Sequence, residues 1–492
     1  MFETELKFRI PPAQQGAVLR AVATASARRV RLQAVYFDTP DFALARARMA
    51  LRLRKEGRVW VQTLKASGGL MARLEHEVTL SASTREPALD VSRHDGTPAG
   101  EALRAVLADA LPLGALYRTD VQRTLRLVRV AGGTVEIACD HGHFIAGEGD
   151  AQRRAPIDEI EFELKSGTPA ALVALSARWA RRFGLWWDLR SKAEMGLRLA
   201  TRTTQVPPTR ARPPGWKADA TPAQVFAGAL QDTLAQALAN AGEIADGAAT
   251  PEHLHQLRVG LRRLRTALRV LSPWAADAEE AAALDAAWAA PLRQLGLARD
   301  ADLLRETWGP RLQQAGAPAF AWPVPDTGED PGALLRSPGF QALLMRTLAL
   351  ASKAPEPPGA AAAGLAEAGR AVLRPAWRAV REGVQHFAES DAEARHALRR
   401  RLKRLRYAGE FLAPAWPGKA AKRHGRALAA ALEALGQLND LETALAACRA
   451  RTAEEPAAWF AVGWLTARRE PAVSAAAVAL AAMMEAPRPW RV

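Results

Sequence analysis

Charge recurs at every second residue along most strand-forming segments of the first 200 residues, and this constrains the fold more than any other feature. In MFETELKFRI, Glu3, Glu5, Lys7 and Arg9 share one face, while Phe2, Leu6 and Phe8 share the other. The same division returns in Arg52 and Arg54, in Arg73, Glu75 and Glu77, in Glu136 and Asp140, and in Glu159, Glu161 and Glu163. Opposite them stand Met49, Leu51, Leu53, Leu74, Val78, Ile160, Phe162 and Leu164. A single charged face usually meets solvent. A whole set of Glu-x-Glu and Arg-x-Arg faces, with different strands supplying different signs, suits a closed sheet with a polar lumen. Unpaired charges do not persist in a dry interior, so such a lumen is wet and takes up an anion with balancing cations. Carboxylates at alternate strand positions are hard oxygen donors suited to Mg²⁺ or Mn²⁺. Arg and Lys rows suit phosphate oxygens. The expected ligand is a polyphosphorylated molecule.

The period then changes. Residues 1–200 read as strands, with helical breaks near 12–25, 98–110 and 169–183. A Pro/Thr/Arg-rich linker, TRTTQVPPTRARPPGWK, covers 201–217. Residues 218–490 follow with 3–4 spacing, interrupted at 316–332 and 354–364 by Pro/Gly-rich stretches. The 492 residues thus divide into a β domain and an all-helical domain. A net charge of +15 favours a polyanionic partner. Cys139 and Cys448 form neither a disulfide framework nor a metal knuckle, which fits a reducing cytoplasm. There is no basic-then-apolar leader and no run of about 18 apolar residues, so no membrane span is expected.

The helical half is internally duplicated. HQLRVGLRRLR begins at His255 and HALRRRLKRLR at His396; LGLARDAD (295–302) and LGQLNDLE (435–442) follow at matched separations. The spacing predicts repeats over about 218–310 and 365–490, related by pseudo-twofold symmetry. Leu254, Leu257, Leu261, Leu264, Leu268 and Leu271 form a core stripe. His255, Arg258, Arg262 and Arg265 run one residue later, about 100° round the helix. His396, Arg399, Lys403 and Arg406 repeat that layout. Basic stripes flanking a buried seam line a groove, and two of them facing one cavity would hold an extended polyanion. Lys403 replaces Arg262, and Asn439 replaces Arg299, whereas Asp300 and Asp440 recur and could orient neighbouring arginines.

Glu3-x-Glu5-x-Lys7 is followed in order by YFDTP (36–40), LRLR (51–54), WVQTLK (60–65), RLEHE (73–77), TDVQR (119–123), VEIACDHG (135–142), DEIEFELKSG (158–167) and SKAEMG (191–196). This ordered set resembles the CYTH family, the triphosphate tunnel metalloenzymes, most of all the bacterial branch that hydrolyses inorganic triphosphate. The resemblance implies an eight-stranded antiparallel tunnel and an α+β, two-domain chain. It implies metal ligation by Glu3, Glu5, Glu161 and Glu163, with Glu75, Glu77 and Glu159 nearby and Asp140 a further lumen candidate. It also implies a triphosphate grip by Lys7, Arg52, Arg54, Lys65, Arg73 and Arg123, with Lys192 near one mouth. Glu3, Glu5 and Lys7 are the catalytic candidates. Residues 218–490 resemble the CHAD domain, which implies a four-plus-four helix architecture and polyphosphate binding through the two basic stripes.

Together these readings lead to metal-dependent cleavage of inorganic triphosphate to pyrophosphate and phosphate, coupled to a polyphosphate-binding module in a cytoplasmic protein that could associate with polyphosphate granules. Two alternatives keep the same charges: a non-catalytic polyphosphate binder, or a tunnel acting on a nucleotide or thiamine triphosphate, including cyclisation of ATP. Nucleic acid is disfavoured, because few aromatics interleave the basic stripes. His76 is expected to point outward, and His141 and His143 to lie in a turn. No GxSxG elbow or Walker loop is present, so side chains must bind the phosphates.

Overall fold

Eight long strands turn the period-two pattern into a closed sheet. They are β1 (Phe2–Arg9), β2 (Arg28–Asp38), β3 (Met49–Glu56), β4 (Val59–Ala66), β5 (Ala72–Thr79), β6 (Gly114–Val130), β7 (Gly133–Ala146) and β8 (Arg153–Gly167). In this computed structural model the order is β5-β4-β3-β2-β6-β7-β8-β1, and β1 pairs back onto β5, so the barrel closes. All of these pairings are antiparallel. A two-residue strand, β9 (Trp186–Trp187), adds to β1 from outside the ring. The structure describes residues 2–491 apart from 67, 81, 83–84, 109–111, 320–329 and 354–363; the side chains of 2, 72–73 and 297–305 also lie outside the description.

The barrel is inverted relative to an ordinary core. Its outward faces carry the apolar residues, and helices cover them. Helix Pro169–Phe183 is capped by Thr168, whose hydroxyl accepts from the Ala171 N–H, and ends at Gly184 in the left-handed region. It packs on β1 and β8, where Phe8 meets Phe162 edge-on at 5.7 Å and Phe162 meets Trp179 at 5.9 Å. Helix Pro98–Leu107 covers a second patch, where Ala99 and Leu103 bury Met49, Leu51 and Leu64.

Two compact units emerge from the contacts. The first comprises Met1–Thr209, Leu238–Thr250 and Gly332–Ser352. Segments from both sides of the Pro-rich stretch therefore complete the coat of the barrel. Helix Pro338–Ser352 packs on helix Pro169–Phe183, Gln341 accepts the Trp187 N–H at 2.9 Å, and Arg198 grips Glu243 through two bonds of 2.9 and 2.7 Å.

The second unit comprises Arg210–Ala237, Pro251–Pro331 and Lys353–Val492. Helices Pro251–Val270 and Ala392–Phe411 carry the duplicated histidine-led motifs and pack against each other. Each also packs on the helix bearing its second motif, Ala289–Leu303 and Lys419–Arg451 respectively. Leu257, Leu261, Leu264 and Leu268 are fully buried, as the seam requires, and Leu398, Leu402 and Leu405 repeat that arrangement. No helix among the described residues is long and apolar enough to cross a membrane.

Candidate functional site

Strand alternation carries the charges into the bore. Across the β1–β8 pair, Glu5 stands opposite Glu163, Lys7 opposite Glu161 and Arg9 opposite Glu159. These residues are connected by ion pairs, and three groupings result.

In the first, Lys65 of β4 bridges Glu3 at 3.1 Å and Glu75 at 2.8 Å. Burial works against charge on Glu3, but its hydrogen bond with Glu75 and the Lys65 ammonium bring its pKa down to about 2. Burial and the same carboxyl–carboxyl bond push Glu75 up to about 8. The two groups therefore hold one proton between them near neutrality. Glu163 is raised to about 7, chiefly by burial, although Lys165 donates to it at 2.6 Å.

In the second, Asp140, Glu159 and Glu161 each place one carboxylate oxygen within 4.8 Å of the others. Lys192 reaches into this triad, bonding Glu159, Glu161 at 2.8 Å and Asp140 at 2.9 Å. Arg123 adds bidentate bonds to Asp140 (2.7 and 2.6 Å) and one to Glu161 (2.6 Å). Burial opposes charge on Glu161, yet Lys192 and Arg123 outweigh it and hold the carboxyl well below the usual range. Burial likewise opposes the Lys192 ammonium, and the three carboxylates hold its pKa well above that of an ordinary lysine. Lys7 lies 3.4 Å from Glu159 and donates to the Arg190 carbonyl.

In the third, Arg52 donates to the Tyr36 hydroxyl at 3.1 Å, and Arg54 pairs with Glu56 at 2.5 Å and Glu77 at 3.2 Å. Thr63 also donates to Glu77, at 3.0 Å. The Nε atoms of Arg52 and Arg54 are buried and find no acceptor among the described residues. Such donors are ready for an anion. Burial, followed by the neighbouring Arg52, lowers the pKa of Arg54.

One end of the bore is filled by helix Lys192–Thr201. A capping box between Ser191 and Glu194 starts it, and Tyr117 donates to the Ala193 carbonyl at 3.1 Å. Its Ala193, Met195, Leu197 and Leu199 pack on Leu32, Ala34, Tyr36, Tyr117, Val121 and Phe144 of the inner wall. The polar stretch is thus confined to the remainder of the bore.

The structure therefore gathers Glu3, Glu5, Lys7, Arg52, Arg54, Lys65, Glu75, Glu77, Arg123, Glu159, Glu161, Glu163 and Lys192 around one lumen. The side chain of Arg73 lies outside the described residues. Asp140 is as central as any glutamate, since it completes the buried triad. Lys165, absent from the sequence-level candidates, continues the register of 159, 161 and 163, so the alternation itself could have identified it. Tyr36 opens the YFDTP segment but, being uncharged, was not among the site candidates. His141 corrects the expectation of a turn: it lies within β7, paired at 2.5 Å with Asp158, because the ladder to β8 runs through this position without a break. His143 lies on the same strand. His76 points away from the bore and meets the buried His94, Nδ1 to Nδ1, at 2.9 Å.

The second unit gathers basic groups from both repeats. Burial, then the charges of Arg262, Arg399 and Arg258, lower the Lys403 pKa to about 6, against the opposing pull of Asp440. A Cβ at Gly296 would lie 3.4 Å from Arg258, and one at Gly436 would lie 3.5 Å from Arg399, so each guanidinium runs along the glycine of its own repeat's second motif. His255 and His396 are half-buried, with His396 Nδ1 2.6 Å from Asn439 Oδ1. Arg265 and Arg406 have carboxylate partners instead, Asp285 at 2.8 Å and Glu410 at 2.9 Å. The side chains of Arg299 and Asp300 lie outside the described residues.

Comparison with known proteins follows the same division. A curated inorganic triphosphatase of Haemophilus influenzae is 33% identical over 175 residues, which is 34% of this chain and 45% of that protein. The match therefore spans less than half of that relative. A crystal structure of the CHAD domain from the plant Ricinus communis aligns at 27% identity and a TM-score of 0.47, covering 57% of this chain and 99% of that one. A Pyrococcus horikoshii protein structure aligns at 19% identity and a TM-score of 0.27, covering 40% of this chain and 98% of that one. Family models match residues 1–183 as a CYTH domain and residues 228–449 as a CHAD domain. The chain thus carries a CYTH domain, built on the antiparallel β-barrel, and a CHAD domain in its helical region.

Proposed function

We propose that the barrel hydrolyses inorganic triphosphate to pyrophosphate and phosphate with Mg²⁺ or Mn²⁺, and that the basic cluster of the helical domain binds inorganic polyphosphate. The observation that carries the first part is one lumen holding both a carboxylate triad and guanidinium groups whose buried Nε atoms have no acceptor among the described residues. The similarity to a curated inorganic triphosphatase supports the same reading.

The donor set fits a divalent metal: it consists only of carboxylate oxygens, and Glu3 and Glu75 hold a proton where a cation could stand. Asp140, Glu159 and Glu161, or Glu3 and Glu75 with Glu5 and Glu163, would hold the ion. A bound ion supplies charge neutralisation to phosphate oxygens and orients water. Lys7, Lys65, Arg52, Arg54, Arg123 and Lys192 bind the phosphate oxygens and fix the chain in line. Water oxygen adds to the terminal phosphorus, the bridging P–O bond breaks, and pyrophosphate leaves with the electron pair. The helix filling one end of the bore limits water and shortens the space open to the anion.

The test is phosphate release from tripolyphosphate, pyrophosphate, ATP, thiamine triphosphate and long polyphosphate, each with Mg²⁺, Mn²⁺ or chelator. Tripolyphosphate should be cleaved fastest and only with metal, and Glu3→Gln or Glu161→Gln should abolish release while the fold persists. Metal-independent release, or none from any triphosphate, would refute the assignment. Polyphosphate binding is tested separately by calorimetry, where loss of affinity in Arg258→Ala and Arg399→Ala is expected.

A further inference from the structure

A cleft of about 410 Å³ in the helical unit is lined by Trp308, Arg311, Gln314, Ala315, Trp464 and Arg468. None of these belongs to the basic cluster described above. The cleft lies over an apolar core in which Trp308 and Leu312 pack on Leu441, Leu445 and Leu465. That core fixes the floor, so the two indoles are held rather than loose. Their rings meet edge to face at 6.4 Å and 81°, and form an L-shaped wall.

Arg468 lies on one arm of this wall. Its Cζ stands 3.4 Å from the Trp464 ring centre, a stacking distance, and its Nη1 donates to the Trp464 carbonyl at 3.0 Å. Arg468 is itself exposed, so the outer face of its guanidinium plane is open to solvent. Arg311, also exposed, stands over Trp308 at 5.2 Å. Trp308 is 6% exposed, yet its indole N–H is buried with no acceptor among the described residues. A buried donor of this kind usually marks a missing partner. The backbone leading into it, Leu304–Trp308, is π-helical, a rare departure that often accompanies binding sites.

The chemistry narrows the ligand. Among the described residues the lining has two cations and no carboxylate, so it selects an anion over a metal ion. Inorganic phosphate or polyphosphate would use the guanidinium groups but gain nothing from the flat indole and guanidinium faces. A planar aromatic ring would stack on Arg468 as a third layer over Trp464, while an attached anionic group would meet Arg311. We propose that this cleft is a binding site for a nucleoside monophosphate, separate in location and chemistry from the proposed triphosphate and polyphosphate sites.

Calorimetric titration of the full chain with AMP, adenosine, ribose 5-phosphate and inorganic phosphate tests this. AMP should bind saturably, and adenosine and ribose 5-phosphate should each bind about tenfold more weakly, because each lacks one half of the recognised group. Arg311→Ala and Arg468→Ala change exposed residues and should fold normally, as circular dichroism would verify; each should weaken AMP binding about tenfold. Trp464→Ala should remove the stacking platform. AMP binding unchanged in both arginine variants would overturn the proposal, as would equal affinity for AMP and ribose 5-phosphate or no saturation up to about 10 mM AMP. Because none of the substitutions lies in the barrel or the basic cluster, loss of AMP binding with phosphate release intact would separate this site from those of the proposed function.

Discussion

Lys403 gives the sharpest test of the helical domain. In the ligand-free protein its pKa is about 6, against an ordinary 10.5, because burial and the charges of Arg262, Arg399 and Arg258 outweigh Asp440. At pH 8 about one lysine in a hundred is charged, and at pH 6 about half are. A polyanion laid across the cluster favours the charged form and draws in a proton. If bound Lys403 stays protonated throughout, apparent affinity falls about fifty-fold from pH 6 to pH 8, roughly 2.3 kcal/mol. The half-buried His255 and His396 share the stripes with Lys403, so the comparison that isolates Lys403 is Lys403→Arg, which matches Arg262 of the first repeat. Calorimetry with polyphosphate of defined length, at constant ionic strength and in two buffers of different ionisation enthalpy, reads both affinity and protons taken up. The wild type should take up about one proton per site at pH 8 more than Lys403→Arg does. The sign also appears without ligand. The folded pKa lies below the unfolded one, so the unfolded chain binds more protons between about pH 6 and 10.5, and stability rises with pH across that window. Equal pH slopes and equal proton uptake in wild type and Lys403→Arg would refute the reasoning.

Lys192→Ala leaves Asp140, Glu159 and Glu161 without their shared ammonium and should cost about 3–5 kcal/mol by chemical denaturation. Added Mg²⁺ or Mn²⁺ should recover part of that loss if the triad accepts an ion. Gly196→Ala would place a Cβ 2.0 Å from the Tyr117 ring, so the helix that fills the bore must shift; a loss of about 1–3 kcal/mol in thermal unfolding is expected. Residues 1–200 expressed alone should melt well below the same barrel in the full chain, since they lack Gln341 and Glu243.

The barrel was legible because period two is a local property. Each strand shows which of its residues share a face, and closure follows once several charged faces must shelter together. Asp140 was harder to rank: in VEIACDHG it stands with one other acid, Glu136, whereas its partners Glu159 and Glu161 come from β8. Only the pairing of β7 with β8, which sets Asp140 against Glu159, brings the three together. Tyr36 and Thr63 are uncharged and show their roles only through contacts with Arg52 and Glu77. In the helical half the duplicated motif indicated which arginines share a stripe, and Arg258, Arg262, Arg399 and Lys403 do converge. Arg265 and Arg406 share the stripe as well, but the carboxylates that hold them are Asp285 on another helix and Glu410 one turn away. Helical periodicity specifies direction, not partner.

An inverted barrel places a demand on the rest of the chain that an ordinary one does not. With the open part of the lumen reserved for charge, Leu6, Phe8, Ile160 and Phe162 must be shielded from outside, and each large apolar side chain left exposed would forfeit about 1.5–3 kcal/mol. One helix, Pro169–Phe183, covers that patch, and it has an apolar back of its own that helix Pro338–Ser352 covers in turn. The second layer is tied down by polar bonds as well as packing. Gln341 takes the Trp187 N–H next to β1, and Glu243 takes both donors of Arg198 from the helix that fills the bore. Arg190, whose carbonyl receives Lys7, is itself paired with Asp188 and Asp246. The position of Lys7 in the lumen is therefore set partly by residues 238–250. Two or three uncovered side chains would already approach the whole stability of a typical domain, about 5–15 kcal/mol. The requirement for an apolar coat explains why the compact barrel unit draws on chain segments that lie beyond its own strands.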